Sequence, residues 1–221
     1  MLAIFLRDIK LNFLHKYTWL NSLLLLSCFI IALPISLTND PNLIHIFTPA
    51  ILWLAMVFST LLTLNQFIID DAHNGSLEIF LLASPRLPIL FVLIKCATYW
   101  ITNILPILIS IFLFTITLKL NLTELITLSA TLIIGTPAIT TMGAAMTILT
   151  LQLEKSQLLS IIMVFPFLIP LLIFGISATM EIINNPANFS GALYFLIATS
   201  IFLSVTGVFF TALSLKYLNR F

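Results

Sequence analysis

The chain has 221 residues, 61% of them hydrophobic and only 8% charged, whereas a soluble domain carries roughly 25% charged residues. A water-soluble fold of this size has too little polar surface to cover so many apolar side chains, so lipid is the solvent for most of the chain. The net charge of +1 supplies neither a basic surface nor an acidic tail, which argues against nucleic acid or another soluble polyion as partner.

At the start, "MLAIFLRDIKLNFLHKY" places Leu2, Phe5, Leu6, Ile9 and Phe13 on one helical stripe, with Arg7, Asp8, Lys10 and His15 largely opposite. That pattern predicts an interfacial helix over residues 1–17, lying on the membrane rather than crossing it. Six apolar runs of spanning length follow, at roughly 19–37, 43–69, 89–118, 125–151, 158–180 and 191–215. The first is too long for a signal-peptide core and has no small-residue cleavage site after it, so it reads as a retained span. The expected fold is an all-α membrane protein, a single permease domain over residues 1–221.

Lys and Arg set the orientation. With the N-terminus inside, Arg7, Lys10, Lys16, Arg86, Lys95, Lys155, Lys216 and Arg220 fall on the cytoplasmic side and only Lys119 falls outside. Both termini are expected in the cytoplasm.

The spans carry little recognisable chemistry. No Gly-x-x-x-x-Gly-Lys-Ser/Thr occurs, so nucleotide binding by a P-loop is excluded. Cys28 and Cys96 lie singly in apolar runs, and His15, His45 and His73 have no spacing that gathers metal ligands. Lys95 is the one embedded ionisable group, near a cytoplasmic end where it can snorkel. The absence of embedded carboxylates weighs against a proton- or ion-coupled carrier. Neither an enzyme nor a cofactor-binding chain is expected.

Several helix breakers sit within spans: Pro106, Gly135 with Pro137, and the pair Pro166 and Pro170. Proline removes a backbone hydrogen bond and is tolerated in lipid where neighbours re-satisfy the freed carbonyl, so these spans are expected to pack inward. Pro166 and Pro170 are four apart and share a face. Gly143, Ala144 and Ala145 offer a smooth surface for close helix contact.

One polar island interrupts the apolar chain, "DDAHNGSLEIFLLASPRLP" at residues 70–88, between the second and third spans on the cytoplasmic side. Gly75 can end one helix in the left-handed conformation. "SLEIFLLAS" then restarts with Glu78 in the first turn, where a carboxylate suits the helix dipole, and Ser84-Pro85 stops it. Leu77, Phe80 and Leu81 share a face of this short amphipathic helix, flanked by Asp70 and Asp71. A chain with no energy source of its own and one compact cytoplasmic element suggests that energy arrives through that element from a partner.

The run "FIIDDAHNGSLEIFLL", with Pro88, Lys95, Trp100 and Leu105-Pro106 after it, resembles the CcmB family, also called haem exporter protein B. Gly135-Thr136-Pro137 and "PFLIPLLIF" at 166–174 are similar to the same family, so the likeness covers nearly the whole chain. The segment "LQLEKSQLL" at 151–159 departs from it, with no Gly where the family is often basic and Gly-rich. The resemblance implies an ABC-2-type permease subunit of the cytochrome c maturation system in the bacterial inner membrane. It implies two copies paired with two CcmA ATPases, in company with CcmC, CcmD and the haem chaperone CcmE, whose haem-loaded form is released by ATP hydrolysis. It also implies that Asp70, Asp71, Gly75 and Glu78 form the ATPase-facing element, that haem is handled by the complex, and that ATP binds the partner. Two other readings share the architecture: an ABC-2 permease exporting another substrate, and a membrane subunit that transmits ATPase strokes without passing anything through a pore.

Overall fold

The computed structural model describes residues 16–36, 41–73, 87–113, 120–151, 153, 156–184 and 191–218, and the described elements are all helical. They are α1 (Lys16–Ser36), α2 (Pro41–His73), α3 (Leu87–Tyr99), a π-helical turn (Trp100–Ile104), α4 (Leu105–Leu113), α5 (Leu122–Thr150), α6 (Ser156–Asn184) and α7 (Gly191–Leu218). The predicted interfacial helix lies outside the described residues, apart from Lys16 and Tyr17, which open α1.

Among the described residues five stretches are long and apolar enough to cross a membrane: Ile46–Ile69, Val92–Phe112, Leu122–Thr150, Gln157–Asn184 and Gly191–Leu215. A shorter apolar stretch, Leu20–Ala32, lies within α1. The chain is an all-α, multi-pass membrane protein. α5 is the most enclosed helix, packed against α7, α6 and α2. α1 lies along α2 and touches α4, while α3 runs against α7. Most of the surface of α6 and α7 faces away from the bundle.

Local chemistry accounts for the breaks. Glu124 of α5 accepts the Asn121 backbone N–H at 3.0 Å, holding the start of the helix at an exposed end. Between α3 and α4 the Leu105 N–H reaches the Trp100 carbonyl five residues back, one residue before Pro106, whose missing N–H prevents a regular α ladder. Pro137 frees the Ile133 carbonyl, and the Thr136 hydroxyl satisfies it at 3.2 Å. Pro49 lies inside α2, a breaker the sequence reading passed over.

α6 packs against α5, α7 and α2, but not through its prolines. Pro166 and Pro170 do share a face of α6, but it is the exposed one, beside Phe167, Ile169 and Ile173. The inner face of α6 is taken by Val164, Leu168, Leu171 and Gly175. A proline ring has no N–H to satisfy and presents only methylenes, which suits hydrocarbon as well as a protein interior.

Candidate functional site

The polar island begins on the last turns of α2, which continues past the predicted span of 43–69 to His73, just before Gly75. Asp70 and Asp71 sit on the last turns of α2, which runs to His73, and α3 starts at Leu87. Gly75, Leu77, Glu78, Phe80 and Leu81 lie outside the described residues.

Just inside the membrane from the island, aromatic and hydroxyl groups join three helices. Lys95 is 7% exposed, and its Nζ lies 5.4 Å from the centroid of the Phe67 ring, a cation–π contact inside the bundle. The Phe67 and Tyr99 rings are tilted at 5.7 Å. The Tyr99 hydroxyl donates to the Thr60 carbonyl at 2.9 Å and is 2.6 Å from Thr63 Oγ1. Ser22 of α1 donates to Thr63 at 3.1 Å, and Ser59 donates back to the Ser22 carbonyl at 2.9 Å. The hydroxyl contacts thereby tie α2, and the far end of α3 at Tyr99, to α1.

A second junction joins α2, α5 and α6. Asn65 Oδ1 accepts from the Ser160 hydroxyl at 2.8 Å and from Thr147. Each hydroxyl also has a carbonyl of its own helix in reach, Gln157 for Ser160 and Gly143 for Thr147, both at 2.9 Å. Asn65→Leu should therefore lower stability only by roughly 0.5–2 kcal/mol, the range of interhelical hydrogen bonds in membranes. Thermal unfolding in detergent, monitored by helicity, checks this; an unchanged midpoint would show that the junction adds nothing.

The third junction is a packed tryptophan. Trp53 of α2 is fully buried between Gly135 of α5 and Gly175 of α6. A Cβ at either glycine would stand 2.5 Å from a ring carbon. The indole N–H donates to Thr179 Oγ1 at 3.2 Å, and Thr131 lies 2.8 Å from the same oxygen. Gly135 is thus a packing residue as expected, but its partner is the unforeseen Trp53. Gly143 also behaves as expected, pressed on Leu64 and Leu61 of α2.

Sequence reasoning missed Asn65, Tyr99 and Asn103, and treated the interior as nearly devoid of polar groups. A lone amide in the middle of an apolar run was the available signal, since a polar group in lipid seeks a partner helix. Among the described residues no group of three or more His, Cys, Asp or Glu is placed to hold a metal. Cys96 is buried and Cys28 exposed, and neither is in a disulfide.

The family model described as "CcmB protein" matches residues 1–217. A heme exporter protein B of Bradyrhizobium diazoefficiens is 31% identical over 216 residues, covering 97% of this chain and 96% of the relative. Its namesake in Haemophilus influenzae is 30% identical over 192 residues, 87% of this chain and 86% of the relative. The Escherichia coli K12 protein of that name is 32% identical over 175 residues, 79% of each chain. With a match running from the first residue to within a few of the last, and with the island and the broken spans placed as described, this chain belongs to the CcmB family.

Proposed function

We propose that the chain is the permease-like membrane subunit of an ATP-driven complex for cytochrome c maturation. The observation that carries this reading is the family match over residues 1–217, together with relatives named heme exporter protein B. The chain lies in the bacterial cytoplasmic membrane with both termini inside. It works as a homodimer with a CcmA-type ATPase, in company with CcmC, CcmD and the haem chaperone CcmE. ATP acts at the ATPase, haem is handled by the complex, and this chain contributes no catalytic group of its own. Residues 70–88 receive the ATPase stroke, and the Lys95–Phe67–Tyr99–Thr63–Ser22 contacts support this role by joining the two helices that flank the segment to each other and to α1. Trp53, filling the junction of α2, α5 and α6, favours a subunit that transmits force through a solid bundle over one that passes cargo through its own core.

A strain lacking this chain tests the reading: staining for covalent haem should show loss of c-type cytochromes, restored by the wild-type gene. Normal bands would reject the role and leave a generic ABC-2 exporter. If residues 76–84 form the helix that the sequence predicts, Glu78→Lys places a positive charge where its dipole disfavours one, and a bulky residue at Gly75 penalises the predicted left-handed turn. Both are expected to reach the membrane in normal amounts yet lose most co-purifying ATPase and cytochrome maturation. Unchanged co-purification and ATP turnover in both would reject the island as the coupling element.

A further inference from the structure

α1 turns one stripe of side chains into the bundle and another away from it. Ser22, Leu26 and Ile30 are buried, at steps of four. Asn21, Leu24, Cys28 and Ile31 are exposed, at steps of three, four and three. That alternation is the seam along which two helices pack as a left-handed pair. Leu24, Cys28 and Ile31 suit lipid as well as protein, but Asn21 does not.

The depth of Asn21 follows from its neighbour. Ser22 donates to Thr63 at 3.1 Å, and its carbonyl accepts from Ser59 at 2.9 Å. Thr63 and Ser59 stand six and ten places before Ile69, where the apolar stretch of α2 ends on the island side. At 1.5 Å per residue, Ser22 is roughly 9–15 Å inside that limit, and Asn21 is the adjoining residue. An exposed amide at that depth would meet hydrocarbon, which offers its N–H groups no acceptor and its oxygen no donor. Polar side chains in membrane helices turn to a protein partner instead, so the outward stripe of α1 is a covered face.

We infer that two copies of this chain meet along this stripe, with the Asn21 amides hydrogen-bonded to each other across the two-fold axis. An amide both donates and accepts, so the same residue of a second copy satisfies it, as an isologous contact requires. A single Asn in an otherwise apolar seam also fixes register and the number of helices. The stripe carries no charge that would face its own like across the axis. The inference rests on the reading that two copies work together and adds where they join. Ser22, beside Asn21, bonds Thr63, which contacts Tyr99. The helices flanking residues 70–88 thereby reach the shared seam through adjoining residues of α1.

Native Cys28 supplies the test, with buried Cys96 as its control. Two differently tagged copies are expressed with the rest of the complex, and their membranes are oxidised with copper phenanthroline. The expected product on a non-reducing gel carries both tags, has twice the mass of the 24.7 kDa chain, and is absent in Cys28→Ser. In that Cys28→Ser background, Leu24→Cys and Ile31→Cys should restore the band, whereas Leu23→Cys, half-buried beside the seam, should not. Asn21→Leu should lower the Cys28 yield severalfold at equal membrane content, with Asn21→Gln retaining more of it. The interface would be overturned by no band at 24, 28 or 31, by an equally strong band at 23, or by a product with one tag only, which marks a different protein as the occupant. A yield unchanged in Asn21→Leu would overturn the amide contact. Haem staining reports the biological role and cross-linking reports the interface, so either can fail while the other holds.

Discussion

Gly207→Leu is expected to remove most of the folded protein from the membrane. Gly207 is where α7 crosses α5, and a Cβ there would stand 2.7 Å from the Thr141 carbonyl carbon and 2.8 Å from the Met142 nitrogen. Both are backbone atoms inside α5, so no rotamer change relieves the contact and the two helices must move apart. This is the most extensive helix pairing in the bundle, and separating it forfeits packing along its length. Inserting even a few methylenes into a filled interior costs about 1–3 kcal/mol, and a leucine against backbone stands at or above the top of that range. Two substitutions calibrate the result. Gly143→Ala meets only the terminal methyls of Leu64 and Leu61, which can swing aside, and Gly191→Leu meets nothing within 4 Å. Fluorescence-detected size-exclusion chromatography of solubilised membranes should rank recovery as Gly191→Leu near wild type, Gly143→Ala below it, and Gly207→Leu lowest. Equal recovery of the Gly207 and Gly191 variants would contradict the close crossing.

The second large effect centres on Trp53. Truncation to alanine removes a fully buried indole from between α5 and α6 and is expected to cost about 3–5 kcal/mol, as large-to-small changes in filled cores do. The contact with Gly175 makes a more discriminating test. In the wild-type chain Gly175→Ala drives a methyl into the ring, with three ring atoms within 2.7 Å, and so destabilises. In a Trp53→Ala background the same methyl enters the vacated space and should stabilise. Residues in contact depart from additivity by about 0.5–3 kcal/mol, and here the effect of one substitution should change sign. Thermal unfolding of the four proteins in one detergent measures it. Additive effects would mean that Trp53 does not lie against Gly175.

Sequence and structure agree best where a property is summed along the chain. Among the described residues five stretches of spanning length appear where apolar runs predicted them, and the first run, 19–37, lies mostly on α1, because hydrocarbon thickness sets a length that composition alone can meet. Agreement fails where one face must be chosen over another. The spacing of Pro166 and Pro170 put them on one face without saying which, and that face is the exposed one. Asp70 and Asp71 lie beyond the apolar run that set the span, yet α2 continues through them to His73.

The sequence by itself therefore determined the solvent, the helical class, the breaker positions and the family likeness, since hydropathy, backbone chemistry and motif order are all local to the chain. Only the tertiary structure decided that Trp53 seats between Gly135 and Gly175 and that Asn65 joins α2 to α5 and α6. The reason lies in the solvent. Around a soluble helix an apolar stripe marks the core, but in lipid the outward and inward faces are equally apolar. Which face is buried then depends on how closely another helix can approach, a property of pairs of helices that no single run of residues contains.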